Sequence, residues 1–155
     1  MANAILTKNV AKANFTITLA SLANGSARQS TILDNTTNDY PAALVYMRIK
    51  SGAAAPTVGT TYEIYLLRSD ETPTLADDAA GASDAAITIE NAPLLGTIVV
   101  TASAAKNFYG VFDTASMGVL GPKWGIAVKN NSGQALSTTE GDHGYEYVYY
   151  YPEVQ

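Results

Sequence analysis

The sequence predicts an all-β protein, an eight-stranded antiparallel sandwich of jelly-roll type, with an immunoglobulin-like sandwich as the alternative. Three observations carry this. Short apolar/polar alternations of period two recur along the chain, and Asn-, Gly- and Pro-rich turn signals separate them at regular spacing. No window of eleven or more residues shows a helical period. The connections are too long for simple hairpins throughout, so Greek-key crossovers between two sheets are expected.

Residues 1–13 are small and polar, with Lys8 and Lys12 and few core-sized side chains. They read as an N-terminal arm, ordered only when something binds it, ahead of one sandwich domain over 14–155. Alternation then begins, with Phe15, Ile17 and Leu19 on one side and Thr16, Thr18 and Ala20 on the other. After the turn at Asn24 and Gly25, residues 28–33 read as a second strand. Residues 42–50 form a third, in which Val45, Met47 and Ile49 alternate with Leu44, Tyr46 and Arg48. Residues 60–68 are β-branched and aromatic, hence strand. Residues 69–86, with Pro73, five acidic residues and many alanines, break the pattern. Residues 87–89 read as a small edge strand, and 95–102 and 106–113 as two more. In 123–129, Trp124, Ile126 and Val128 are expected inward, and Lys123, Gly125, Ala127 and Lys129 outward. Residues 144–151, with five tyrosines, are the last strand.

Composition narrows function by exclusion. The 155 residues carry nine Lys+Arg against fourteen Asp+Glu, a net charge of −5. The bases are scattered from Lys8 to Lys129, without the basic patch that grips phosphate backbones, so neither nucleic acid nor an anionic membrane is an expected partner. The absence of cysteine removes disulfides, thiol catalysis and thiolate metal sites. Charged residues make up only 15% of a chain that is 47% hydrophobic, so the surface is Thr, Ser, Asn and Ala. Covering such a surface needs little desolvation. No segment approaches the ~20 apolar residues of a membrane-spanning helix. The first ten residues carry no basic region followed by an apolar stretch, so synthesis in a cytoplasm without a signal peptide is expected.

Candidate chemistry is sparse. The one histidine, His143, sits in a Gly-flanked loop beside Asp142, without a serine in a nucleophile-elbow context. It reads as a loop residue rather than a general base, although a hydrolase built on His143 and the acidic loop is one rival reading. The carboxylates Asp70, Glu71, Asp77, Asp78 and Asp84 have the oxygen ligands calcium takes, but not the spacing of an EF-hand loop. Gly118, Gly121 and Gly125 lack the Gly-Lys-Ser/Thr of a phosphate loop. No catalytic residue, metal or cofactor is expected. The unusual feature is tyrosine: Tyr145, Tyr147, Tyr149 and Tyr151 share one face of the last strand, with Tyr150 on the other. Aromatic faces build cross-strand ladders, anchor protein interfaces and stack on sugars. These four tyrosines, with Lys8 and Lys12 of the arm, are the candidate interface.

Residues 15–30 (FTITLASLANGSARQS), residues 123–133 (KWGIAVKNNSG) and the Tyr-rich end resemble small virion proteins of tailed bacteriophages. These include capsid decoration (cement) proteins and head-fibre or tail accessory modules. The resemblance implies a non-enzymatic sandwich whose arm docks on the capsid. It implies a virion location after synthesis in the host cytoplasm, and partners that are other copies of the chain, a trimer as first expectation, and a capsid or tail protein. The alternative is a glycan-binding adhesin module of a phage tail or a bacterial surface.

Overall fold

A computed structural model describes residues 5–69 and 80–154. Eleven strands are present among them, and no α-helix. They are β1 (Ile5–Asn9), β2 (Ala13–Asn14), β3 (Ala27–Gln29), β4 (Leu33–Asp34), β5 (Ala42–Lys50), β6 (Thr61–Ser69), β7 (Ala85–Ile87), β8 (Leu94–Val99), β9 (Asn107–Asp113), β10 (Lys123–Asn131) and β11 (Gly144–Val154). Two antiparallel sheets form a sandwich. The first runs β1-β11-β5-β9, with β2 also on β11; the second runs β7-β3-β10-β6-β8, with β4 also on β10. Consecutive strands repeatedly change sheet, so most contacts join distant parts of the chain.

The inner faces meet in one core. Val45, Met47 and Ile49 of β5 oppose Tyr62, Ile64 and Leu66 of β6 and Trp124, Ile126 and Val128 of β10, all at or near zero exposure. These are the inward residues expected for β5 and β10, because period-two alternation sends every second side chain to the same face. Phe112 closes one side of the core, resting where Gly96 of β8 and Gly110 of β9 leave room for its ring.

Four segments differ from the sequence reading. Residues 5–9 of the expected arm pair with β11 as β1, from Ile5 opposite Val154 to Asn9 opposite Tyr150, and β2 pairs next to it. An edge strand wet on both sides needs no apolar alternation, so its sequence looks like a tail. Phe15, Ile17 and Leu19 are buried as expected, yet residues 15–19 form no ladder. The segment crosses between sheets: Phe15 N–H donates to the Tyr145 carbonyl of the first sheet, and the Thr16 carbonyl accepts from Thr31 N–H at the second. Residues 28–33 split into β3 and β4, because Ser30 turns its hydroxyl onto the backbone N–H of Ile126 and interrupts the ladder. Gly125 and Ala127 face away from the main core as expected, yet are buried. A second apolar cluster covers that face, in which Leu67, Ala92 and Ala127 pack with Ile32, Tyr65, Ile87 and Ile89. The side chain of Gln29 pins the covering loop through Ala80, Gly81 and Ser83.

Candidate functional site

The tyrosines of β11 resolve into two faces. Tyr145, Tyr147, Tyr149 and Tyr151 turn inward. Tyr147 and Tyr149 pack edge-on against Trp124, at ring-centroid distances of 5.5 and 5.7 Å, and Tyr147 also meets Phe15 at 4.8 Å. Tyr149 and Tyr151 stack on Tyr40. Trp124 is fully buried, and its Nε1–H donates to Tyr149 Oη at 2.8 Å. Burial pushes the Tyr149 phenol up to about 12. Tyr145 donates to Glu140, and burial together with that carboxylate raises its pKa further. Of the tyrosines expected to form an interface, Tyr149 is therefore core, Tyr145 and Tyr147 pack half-buried against it, and Tyr151 lies half-buried on Tyr40: β11 is central in its sheet, and the aromatic side of a half-buried strand goes to the apolar side. The two arm lysines are also engaged within the chain, Lys8 with Glu153 at 2.9 Å and Lys12 with Glu146 at 2.7 Å.

His143 is a structural latch. Its ring is buried, with Nδ1 accepting from Lys50 N–H at 3.3 Å and Nε2 3.4 Å from the Ser137 carbonyl. With Nδ1 accepting, the proton sits on Nε2 and the ring is neutral; burial holds its pKa below the ordinary histidine value. Asp142 does not orient it. That carboxylate takes Lys50 Nζ at 3.0 Å and the Ser137 hydroxyl. Of the acidic loop, Asp70, Glu71, Asp77 and Asp78 lie outside the described residues. Asp84 is held by Arg28 and Thr18, which keep its carboxyl below the usual range although burial opposes them. Among the described residues no group of three His, Cys, Asp or Glu is placed to hold a metal ion. No helix among them is long and apolar enough to cross a membrane.

The feature that remains is the outer face of the first sheet. Antiparallel partners point to the same side, so the register defines its rows. Gly144, Arg48 and Tyr109 lie in one row; Glu146, Tyr46 and Val111 in the next; Val148, Leu44 and Asp113 in the third. Tyr109 is 68% exposed and Val111 60%, on the edge strand β9, and Tyr46 stands beside them on β5. Arg48, Tyr46, Tyr109, Val111 and Glu146 line a shallow depression of about 310 Å³, opened by the missing side chain of Gly144. Arg48 Nη2 donates to the His143 carbonyl at 3.1 Å, and its buried Nε has no partner. The carboxylates on this face are already satisfied, Glu146 by Lys12 and Asp113 by Tyr150 Oη at 2.6 Å and Ala115 N–H at 2.9 Å. Covering the row of Tyr46, Tyr109 and Val111 strips water mainly from rings and methyls.

Sequence reasoning did not single out Tyr46, Tyr109 or Val111. The available signal was that β9 is apolar on both faces, Phe108 and Phe112 inward with Tyr109 and Val111 outward, at a sheet edge where one side meets water.

Neither a family model, nor a curated protein, nor a solved structure matches this chain.

Proposed function

We propose that this chain is a non-enzymatic virion structural protein that self-associates and docks on a larger capsid or tail surface. The observation that carries the reading is the outer face of the first sheet, with exposed Tyr46, Tyr109 and Val111 on regular strands, Glu146 paired with Lys12 and Asp113 hydrogen-bonded within the chain. An exposed apolar patch on rigid strands is the usual mark of a protein-binding surface. Burying Tyr combines apolar area with a hydroxyl that finds a partner at the rim. Repetition on a lattice would multiply a modest contact through avidity.

Strand order supports a jelly-roll reading of the sandwich. With β7 set aside and β1/β2 and β3/β4 each taken as one interrupted strand, eight strands in chain order give 1-8-3-6 in one sheet and 2-7-4-5 in the other. That interleaving is the pattern of two Greek keys wound into two sheets, a fold used by capsid and lectin domains alike. Fold alone therefore does not choose the partner.

The test is composition of purified particles. Gradient-purified virions from the source lysate should contain this chain at fixed stoichiometry by mass spectrometry, and recombinant protein should co-sediment with particles that lack it. Tyr109→Ser with Val111→Ser should weaken co-sedimentation while thermal stability holds. A chain found only in the soluble fraction sinks the reading.

The depression between Tyr46 and Tyr109, with Arg48 and Glu146 at its sides, favours a second reading, a glycan-binding adhesin module. Aromatic walls with a few polar groups are how sugar rings are held. Glycan-array binding lost in Tyr109→Ser, without particle association, would select it.

A further inference from the structure

The two ends of the chain form a ribbon that extends past the body of the first sheet. On β11, the partner strand β5 ends at Ala42, opposite Tyr150. Beyond that point, among the described residues, the one strand beside β11 is β1, through Tyr151–Lys8, Pro152–Thr7, Glu153–Leu6 and Val154–Ile5. An isolated two-stranded ribbon is marginal in water. This one is also apolar, with Ile5 72%, Val154 65% and Leu6 43% exposed. Its outer edge is β1, the terminal strand of the sheet. Free edges are normally blunted by a charge or a proline. Here the lysine of β1 is tied back to Glu153, and the proline lies on β11 instead.

The ladder says which peptide groups that edge offers. Val10 N–H donates to the Tyr149 carbonyl at 2.8 Å, one step beyond the Asn9–Tyr150 pair. Hydrogen-bonded and non-bonded pairs alternate in an antiparallel ladder. Lys8 and Leu6 therefore turn their N–H and C=O groups to β11, and Ile5, Thr7 and Asn9 turn theirs outward. Three outward residues centred on Thr7 make a self-complementary edge.

We infer that β1 pairs with β1 of a second copy of this chain, antiparallel, about a two-fold axis through Thr7. Ile5 then faces the second copy's Asn9, Leu6 its Lys8, and Thr7 its Thr7. The outward peptide groups of Ile5, Thr7 and Asn9 in one copy meet those of Asn9, Thr7 and Ile5 in the other, and the first sheet becomes continuous across the dimer. The charges agree with this pairing. No like charges face each other, and each Lys8 lies over a Leu6 that is flanked by Glu153. A two-fold axis normal to the sheet keeps both outer faces on the same side. The dimer thus presents one extended apolar surface, which deepens the docking role proposed above and rests on it. Five residues of edge amount to less than a standard interface of about 1,600 Å², so the free dimer should dissociate on dilution.

Sedimentation velocity of the full chain from about 5 µM to about 500 µM covers the range where such a contact saturates. Wild type should shift from monomer to dimer. Thr7→Pro removes one outward N–H and leaves the ladder to β11 intact, so it should weaken dimerisation tenfold or more with an unchanged melting temperature. Lys8→Pro, whose N–H serves β11, should instead loosen the ribbon within the monomer. Because the chain has no cysteine, Thr7→Cys is a clean cross-linking probe. The pair on the axis has a Cα separation of about 5.5 Å, within disulfide range, so mild oxidation should give a disulfide dimer. A wild type that stays monomeric throughout, a Thr7→Pro protein that dimerises normally or melts as early as Lys8→Pro, or a Thr7→Cys protein that fails to cross-link each overturns the inference. Co-sedimentation with particles is scored separately. A strict monomer that still binds particles refutes the edge pairing and keeps the docking reading; a dimer that never binds particles supports the pairing and refutes docking.

Discussion

Replacing Tyr149 with Phe removes one oxygen and nothing else from the centre of the aromatic core. Trp124 Nε1–H loses its partner, 2.8 Å away, in a place where the indole is completely buried. Tyr149 itself is 9% exposed, so its hydroxyl is not readily replaced by bulk water. A buried donor left unsatisfied costs about 1–3 kcal/mol. For a domain of this length each kcal/mol moves the melting temperature by roughly 2–4 °C. Tyr149→Phe should therefore melt several degrees below wild type, with an unchanged urea m-value because the buried area is the same. The single tryptophan is the reporter, since Trp124 is the only indole in the chain. A double-mutant cycle with Trp124→Phe isolates the bond: once the indole is gone, Tyr149→Phe should cost much less. Stability within about 0.5 kcal/mol of wild type, the noise level of neutral surface changes, would refute the claim that this hydrogen bond matters to the core.

Three further outcomes follow from the same geometry. Burial holds the His143 imidazole below its ordinary pKa, so the unfolded chain binds a proton first; stability should fall as pH drops below about 6.5, and His143→Gln should flatten that part of a denaturation-against-pH curve. The phenols of Tyr65, Tyr149 and Tyr150 are pushed up to about 12, by burial first and, for Tyr65 and Tyr150, by the carboxylates they donate to. Unfolded tyrosines lose their protons near pH 10, so stability from these groups is complete below that pH and should be lost as pH rises towards 12, read as loss of the β signal in circular dichroism. A Cβ at Gly110 would lie 2.6 Å from Phe112 Cζ, so Gly110→Ala should destabilise by about 1–3 kcal/mol, and Phe112→Leu should rescue part of the loss in urea titrations.

How much was legible in the sequence varied by element. Strands β5, β6 and β10 were readable nearly residue by residue, because they are central, long and apolar on the side that alternates inward. The phase of Trp124 with Ile126 and Val128 alone puts it in the core. Strand β1 was not readable, because its partner lies more than 140 residues away at the other end of the chain. The outer face of the first sheet was half visible. Period two puts Leu44, Tyr46 and Arg48 on the face opposite Val45, Met47 and Ile49, but β9 gives no sign of which side is wet.

Period-two patterning by itself determined an all-β chain with one sandwich core, since only alternating strands of this length can bury those side chains on one side. Only the tertiary structure decided which face of β11 is the inner one and where β1 belongs. On β11 one face carries four tyrosines and the other Glu146, Val148 and Tyr150, either of which could meet a neighbour, and the choice rests on where Trp124 and Phe15 arrive from other strands. On β1 the pattern is silent, and a ladder to the far terminus makes it the edge of the sheet. A local sequence records how often a side chain alternates; which neighbour covers it is set by contacts between residues far apart in the chain.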